Sequence, residues 1–202
     1  MNLDYDFDRA ERNAKFKKFI IKFIGWLIAI GFAVGLAWVI STYVLEKTNM
    51  ADKSMNITLD VDDRILINKL HYKIKQPERF DVIVFKKDGK EHSYYSIKRV
   101  IGLPGETVII HDGHVYINGE LLYEPMIVDD IFLEGLAAEE IVLDDDEYFV
   151  LGDNRNASED SRFANVGNVT ASEIIGKAWI RTNKFGIVGK INMNSKSEES
   201  EE

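Results

Sequence analysis

A chain of 202 residues, 46% hydrophobic and 29% charged, holds one globular domain with a smaller appendage, and fits neither a large multidomain enzyme nor a disordered chain. Its net charge of −9, from 25 Lys and Arg against 34 Asp and Glu, argues against a nucleic-acid partner held by phosphate contacts. Without cysteine and with four scattered histidines, His71, His92, His111 and His114, a disulfide framework, a thiolate zinc site and a cysteine nucleophile drop out. Catalysis would rest on hydroxyls, amines and carboxylates, and no metal or cofactor is expected.

From Phe23 to Leu45 the chain runs for 23 residues without a charge. As a helix this stretch rises about 34 Å, enough to cross a hydrocarbon core of about 30 Å. Arg9, Arg12, Lys15, Lys17, Lys18 and Lys22 precede it, so the positive-inside rule keeps residues 1–22 cytoplasmic and sends everything after Leu45 outside. A cleavable signal peptide has a shorter apolar core and a small-x-small cleavage site, whereas Glu46-Lys47-Thr48-Asn49 follows here. A buried core helix or a re-entrant segment fits the length less well. Trp26, Trp38 and Tyr43 near the ends suit interfacial anchoring. Residues 1–45 hold six Lys/Arg and four Asp/Glu, which leaves 19 against 30 beyond them, a net of −11. The outward part is acidic.

Past the span the pattern changes to period two and short apolar runs. Arg64–Asn68, Asp81–Phe85, Thr107–Ile110, His114–Ile117 and Glu147–Leu151 are β-rich and bounded by turn residues, which predicts a mainly β domain with antiparallel pairing. Asp88-Gly89, Asp112-Gly113 and Asn118-Gly119 are turn dipeptides, the last two spaced as consecutive hairpins. Residues 125–146 break the rhythm and read as an inserted lobe or long connection, with a short helix over Leu136–Glu140. The end, 194–202, is polar and charged and reads as a solvated tail. The expected division is thus 1–22 cytoplasmic, 23–45 transmembrane, 46–193 outward β domain and 194–202 tail.

Three segments carry candidate chemistry. Ser54-Met55 lies nine residues after the span, and alone it is an ordinary loop serine. In Tyr94–Glu106 a lysine interrupts a strand-like stretch ahead of Pro104-Gly105. Strand alternation puts Lys98 on one face with Ser96 and Val100, either snorkelling to solvent or turned inward. The third segment, Leu151–Phe163, is dense in turn formers and polar groups directly after a buried-looking strand.

In this order, behind an apolar span, these segments resemble the type I signal peptidases, membrane-anchored serine proteases with a Ser-Lys dyad, over roughly residues 20–190. Ser54-Met55-Asn56-Ile57-Thr58-Leu59 is similar to the family's Ser-Met-x-Pro-Thr-Leu box, and Arg79–Phe85 to its Arg-Gly-Asp-hydrophobic strand. Tyr95–Glu106 matches its lysine box, and Gly152–Arg162 its Gly-Asp-Asn-Arg-x-x-Ser-x-Asp-Ser-Arg box. The resemblance implies an antiparallel β catalytic domain of the signal peptidase and LexA-like complex type behind one transmembrane helix, acting on exported preproteins at the lipid bilayer. It implies Ser54 as nucleophile, Lys98 as general base, Ser158 as the hydroxyl that orients the lysine amine, and Asp160 with Arg162 as the pair bracing that loop. The oxyanion would meet the Ser54 backbone N–H and a further donor in Ala51–Lys53. Met55, Ile97, Leu59 and Met50 are candidates for shallow pockets taking small residues at the first and third positions before the cut, with core packing open for Met50 and Leu59.

Physical chemistry sets a demand on this assignment. At the ordinary lysine pKa, roughly one molecule in 2,500 is neutral at pH 7, so Lys98 acts as a base only if burial disfavours its ammonium form. The sequence also departs from the pattern: Ile57 stands for the proline, Phe80 for the glycine of the second box, and Ala157 for a usual asparagine. The alternatives are a non-catalytic or specialised relative assisting surface-protein or pilus assembly, and a self-cleaving repressor, which the absence of a DNA-binding helix-turn-helix disfavours.

Overall fold

The computed structural model describes residues 3–87, 95–126 and 128–189. The chain divides into two compact units that meet at Val44 and Leu45. The first is a single helix, α1 (Leu3–Tyr43). From Lys17 onward its side chains stand exposed, including Trp26, Phe32 and Trp38. Helical hydrogen bonding satisfies the backbone, and the exposed, uncharged surface from Phe23 to Tyr43 suits hydrocarbon rather than water. This helix is long and apolar enough to cross a membrane. Two details differ from the sequence reading. The helix runs on through the charged segment before Phe23, and Leu45 is the first residue of a strand rather than the last of the span.

The second unit is antiparallel β. Its strands are β1 (Leu45–Asn49), β2 (Arg64–Asn68), β3 (Val82–Phe85), β4 (Ser96–Gly102), β5 (Thr107–His111), β6 (His114–Ile117), β7 (Glu120–Leu121), β8 (Ile141–Val142), β9 (Glu147–Leu151), β10 (Val169–Thr170), β11 (Ile174–Arg181) and β12 (Gly186–Ile187). The larger sheet has the order β1-β2-β11-β3-β4-β9-β10, with β12 on β11, and the smaller is β7-β6-β5-β8. All five predicted runs are strands. Asp112-Gly113 and Asn118-Gly119 form the two-residue hairpin turns their sequence specifies, with positive φ at both positions of each. Asp88-Gly89 and the tail lie outside the described residues.

Alternation along the central strands explains their continuous apolar runs. Val82 and Val84 of β3 enter one core cluster with Ile65, Ile67 and Ala178, while Ile83 and Phe85 enter another with Val100 and Val150. β9 divides the same way: Phe149 and Leu151 pack with Val108, Val115 and Leu143, and Tyr148 and Val150 face the opposite cluster. Both faces of β3 and β9 are therefore covered.

Residues 125–146 are a connection rather than a separate lobe. Gly135–Ala138 forms a 3₁₀ turn where the sequence predicts a short helix over 136–140, and Ile141–Val142 joins the smaller sheet beside β5. The connection is held against the polar loop after β9, since Leu136 N–H donates to the Arg162 carbonyl at 2.8 Å and Arg162 Nη1 to the Leu133 carbonyl at 3.0 Å.

Candidate active site

Three chain segments meet at the end of the β4–β9 pairing. The first is the loop joining β1 to β2. Its neck is closed by Met50 N–H to the Asp63 carbonyl and Asp62 N–H to the Met50 carbonyl, at 2.9 and 3.0 Å, and its turn by Thr58 and Leu59 N–H groups on the Met55 carbonyl. Ser54 projects from this loop and is 1% exposed. The second segment is β4, which turns Lys98 inward to 3% exposure. Lys98 Nζ and Ser54 Oγ lie 2.6 Å apart, joining residues 44 positions distant in sequence. With the ammonium present Lys98 donates; with a neutral amine the same distance lets the hydroxyl donate to nitrogen.

Burial pushes the Lys98 pKa down, because desolvation disfavours its ammonium form; Asp52, Asp160, Glu159 and Asp153 pull it upward, and the net direction is down. This is the demand that the sequence alone placed on a lysine base.

The third segment is the loop after β9. Asn154 N–H donates to the Ser54 carbonyl at 2.9 Å, which ties this loop to the serine. Gly152 is confined by close approach: a Cβ there would lie 2.2 Å from Ser158 Oγ and 2.6 Å from the Ser54 carbonyl oxygen. Asp160 and Arg162, both buried, form a two-pronged ion pair at 2.7 and 2.9 Å, and Asp160 also accepts the Gly152 N–H at 3.1 Å. Ser158 Oγ is buried against Gly152 and has no hydrogen-bond partner among the described residues, so the expected bond to the Lys98 amine is not formed in this structure.

Sequence reasoning assigned no role to a second ionic group here. Arg99 Nε and Nη2 grip Asp153 at 2.7 and 2.6 Å, with both side chains essentially unexposed. Thr58 of the serine loop donates to the same carboxylate and accepts from Arg99 Nη2 at 3.0 Å. One carboxylate thus pins the serine loop, β4 and the loop after β9. The residues lie inside the quoted motifs, but only contact shows what they do. Arg99 Nη1 further donates to the Phe80 carbonyl at 2.8 Å. Phe80 has φ +70°, the left-handed region that favours glycine and costs a larger residue about 1–2 kcal/mol. That backbone requirement accounts for glycine in the motif; here Phe80 packs against the cluster around Val108 and Phe149, which offsets the strain.

The pocket candidates Met50, Met55, Leu59 and Ile97 are 0–3% exposed and belong to one core cluster with Ile65, Ile67, Val82 and Val84. In this structure they pack the interior beneath the serine loop and present no surface. Ile57 is half exposed and its N–H has no hydrogen-bond partner among the described residues, so the position tolerates the missing proline without an unsatisfied interior group. Among the described residues no group of three or more His, Asp or Glu side chains is arranged to hold a metal ion.

A buried serine hydroxyl 2.6 Å from a buried, desolvated amine is an arrangement that can pass a proton between the two. A sequence model of the family described as signal peptidase, peptidase S26, matches residues 23–182. The chain is 40% identical over 169 residues to signal peptidase I of Leptolyngbya laminosa, covering 79% of this chain and 81% of that one. It is 38% identical over 156 residues to a probable signal peptidase I-2 of Synechocystis, covering 74% and 68%. A crystal structure of a signal peptidase I from Enterococcus faecalis matches with a TM-score of 0.39 and 32% identity, over 51% of this chain and 97% of that one. The chain belongs to the signal peptidase family, peptidase S26, and is a serine peptidase. Membership supports signal peptide removal as its activity.

Proposed function

We propose that this chain is a membrane-anchored endopeptidase that cuts signal peptides from exported preproteins, with Ser54 as nucleophile and Lys98 as general base. The observation that carries the reading is the 2.6 Å contact between two buried side chains from distant segments, one of them a lysine whose ammonium form burial disfavours. Ser54 Oγ attacks the scissile carbonyl as neutral Lys98 takes its proton. The tetrahedral oxyanion collapses, the C–N bond breaks, and the Lys98 ammonium protonates the leaving amine. Water then attacks the acyl ester as Lys98 takes its proton; the tetrahedral intermediate collapses with cleavage of the ester C–O bond, and the Lys98 ammonium returns that proton to Ser54 Oγ. Asp160 and Arg162 hold the loop that carries Ser158 and Gly152, and Ser158 supplies the hydroxyl that meets the lysine amine once substrate is bound. Small residues at the first and third positions before the cut are the expected specificity.

α1 is the anchor in this reading, with its basic side in the cytoplasm and the β unit outside. Anchoring raises the effective concentration of a cleavage site whose own apolar core lies in the same bilayer. The test is processing of a signal-peptide-bearing preprotein in membranes by the full chain, Ser54→Ala and Lys98→Ala. Loss of about 10⁴-fold or more in both variants, each still giving a cooperative thermal unfolding transition, is expected. Equal cleavage by all three overturns the dyad, and no cleavage by the unsubstituted chain favours the assembly role.

A further inference from the structure

The oxyanion of an acyl transfer is stabilised by free hydrogen-bond donors beside the nucleophile, commonly the nucleophile's own backbone N–H. The Ser54 N–H, nearest to the reacting hydroxyl, is occupied: it donates to Asp52 Oδ1 at 2.8 Å. The other oxygen of the same carboxylate lies 4.0 Å from Lys98 Nζ. While Ser54 and Lys98 are buried, the Asp52 side chain is 62% exposed, so it lies over the dyad from the solvent side and is free to turn away. An aspartate carboxylate and a tetrahedral oxyanion cannot both take one N–H, and two anions at that separation repel. One must leave before the other arrives.

We propose that Asp52 is a latch on this site, a carboxylate that occupies the oxyanion donor and faces the lysine until substrate displaces it, and so limits turnover. The proposal rests on the Ser54–Lys98 reading. Asp52 is a positioning residue acting through Ser54 and Lys98 and has no share in the bond changes. Three other carboxylates act on Lys98, and each is held elsewhere: Asp153 by Arg99, Asp160 by Arg162, and Glu159 by the Asn165 amide at 2.9 Å. Burial raises the Asp52 pKa, but hydrogen bonds from Ser54 and the Lys98 charge outweigh it, and the group is held below the usual carboxylate range. The latch therefore keeps its charge throughout the neutral range.

Asp52→Asn keeps an acceptor for the Ser54 N–H and removes the charge; Asp52→Ala removes both. The test is the pH dependence of kcat and KM for a signal-peptide-derived fluorogenic peptide, using the full chain in detergent micelles. The acid limb of kcat/KM is expected to move down by about half to one pH unit in both variants, because the lysine loses a charge that favours its ammonium form. In Asp52→Ala, kcat is expected to rise about three- to tenfold at pH 7 with a smaller change in KM, as the oxyanion donor is freed. A merely structural Asp52 would give lower kcat and lower thermal stability with the limb in place. An unmoved limb in both variants, or a fall in kcat in both, overturns the latch. Ser54→Ala and Lys98→Ala run alongside: if they are inactive the dyad stands even when the latch fails, and if they cleave normally both fall.

Discussion

Lys98 and Arg99 are consecutive residues of β4, leave the strand on opposite sides, and are both buried, yet the protein handles their charges in opposite ways. Arg99 makes four hydrogen bonds, to the two oxygens of Asp153, the Thr58 hydroxyl and the Phe80 carbonyl. Its charge is kept and its geometry fixed, as a guanidinium with an immovable charge requires. Lys98 has a serine hydroxyl at 2.6 Å and its nearest carboxylate only at 4.0 Å, from an exposed side chain. Its charge is disfavoured. One face of the strand is an ionic clamp, and the other withholds compensation and leaves a basic amine.

The largest expected break in this comparison is on the arginine side. Arg99→Ala leaves Asp153 buried and unpaired, and a loss of about 3–5 kcal/mol in unfolding free energy is expected, with activity falling in step as the serine loop comes free. Denaturant melts of the single variants and of the Arg99→Ala, Asp153→Ala pair test it: the double variant should lose much less than the sum of the two singles. Additive losses would show that the clamp acts as independent parts.

Next is the glycine that lets the two sides meet. Gly152→Ala places a methyl group against the Ser54 carbonyl oxygen and Ser158. Overpacking of this kind costs about 1–3 kcal/mol, and because the backbone at Ser54 must shift, kcat should fall by about 10²-fold or more. Activity retained at the unsubstituted level would mean that the serine loop can retreat without moving Oγ.

The smallest effect has the opposite sign. Burial holds the Lys98 pKa below its unfolded value, so the folded state carries a penalty that is complete at low pH and fades as pH rises toward the unfolded lysine value of about 10.4. Lys98→Met removes that penalty with little change in volume. The inactive variant should therefore melt a few degrees higher than the unsubstituted chain near neutral pH, with the gap closing as pH rises toward 10. A lower melting temperature at every pH would show that the lysine contributes stability and that the two faces of β4 are alike.

Legibility in the sequence followed the range of the interactions. The apolar span was readable because a membrane helix satisfies its own backbone within one segment. The hairpins at 112–113 and 118–119 were readable because two residues with positive φ fix the turn. β11 was not read as a strand, although it lies between β2 and β3 in the larger sheet. Its Ile174-Ile175-Gly176-Lys177-Ala178-Trp179-Ile180-Arg181 mixes a glycine and two cations into the run, and two register shifts interrupt its pairing, so period two is lost. Gly176 is explained only by contact, since a Cβ there would lie 2.5 Å from the Asn68 carbonyl oxygen of the neighbouring strand.

At the site, the sequence by itself determined which atoms are available: without cysteine and with its histidines scattered, the chain offers a serine, a lysine and a polar loop in a recognisable order. Whether Lys98 points to water or to Ser54 was undecidable from the strand pattern, because alternation names a face and not what covers it. Tertiary structure decided that by bringing together segments 44 to 95 residues apart, which also set the lysine's protonation, paired Asp153 with Arg99 and Thr58, and placed Lys98 4.0 Å from the Asp52 carboxylate. Residue identity is fixed along the chain, whereas desolvation and hydrogen-bond competition depend on which segments close over a group, and those exist only once the sheet has formed.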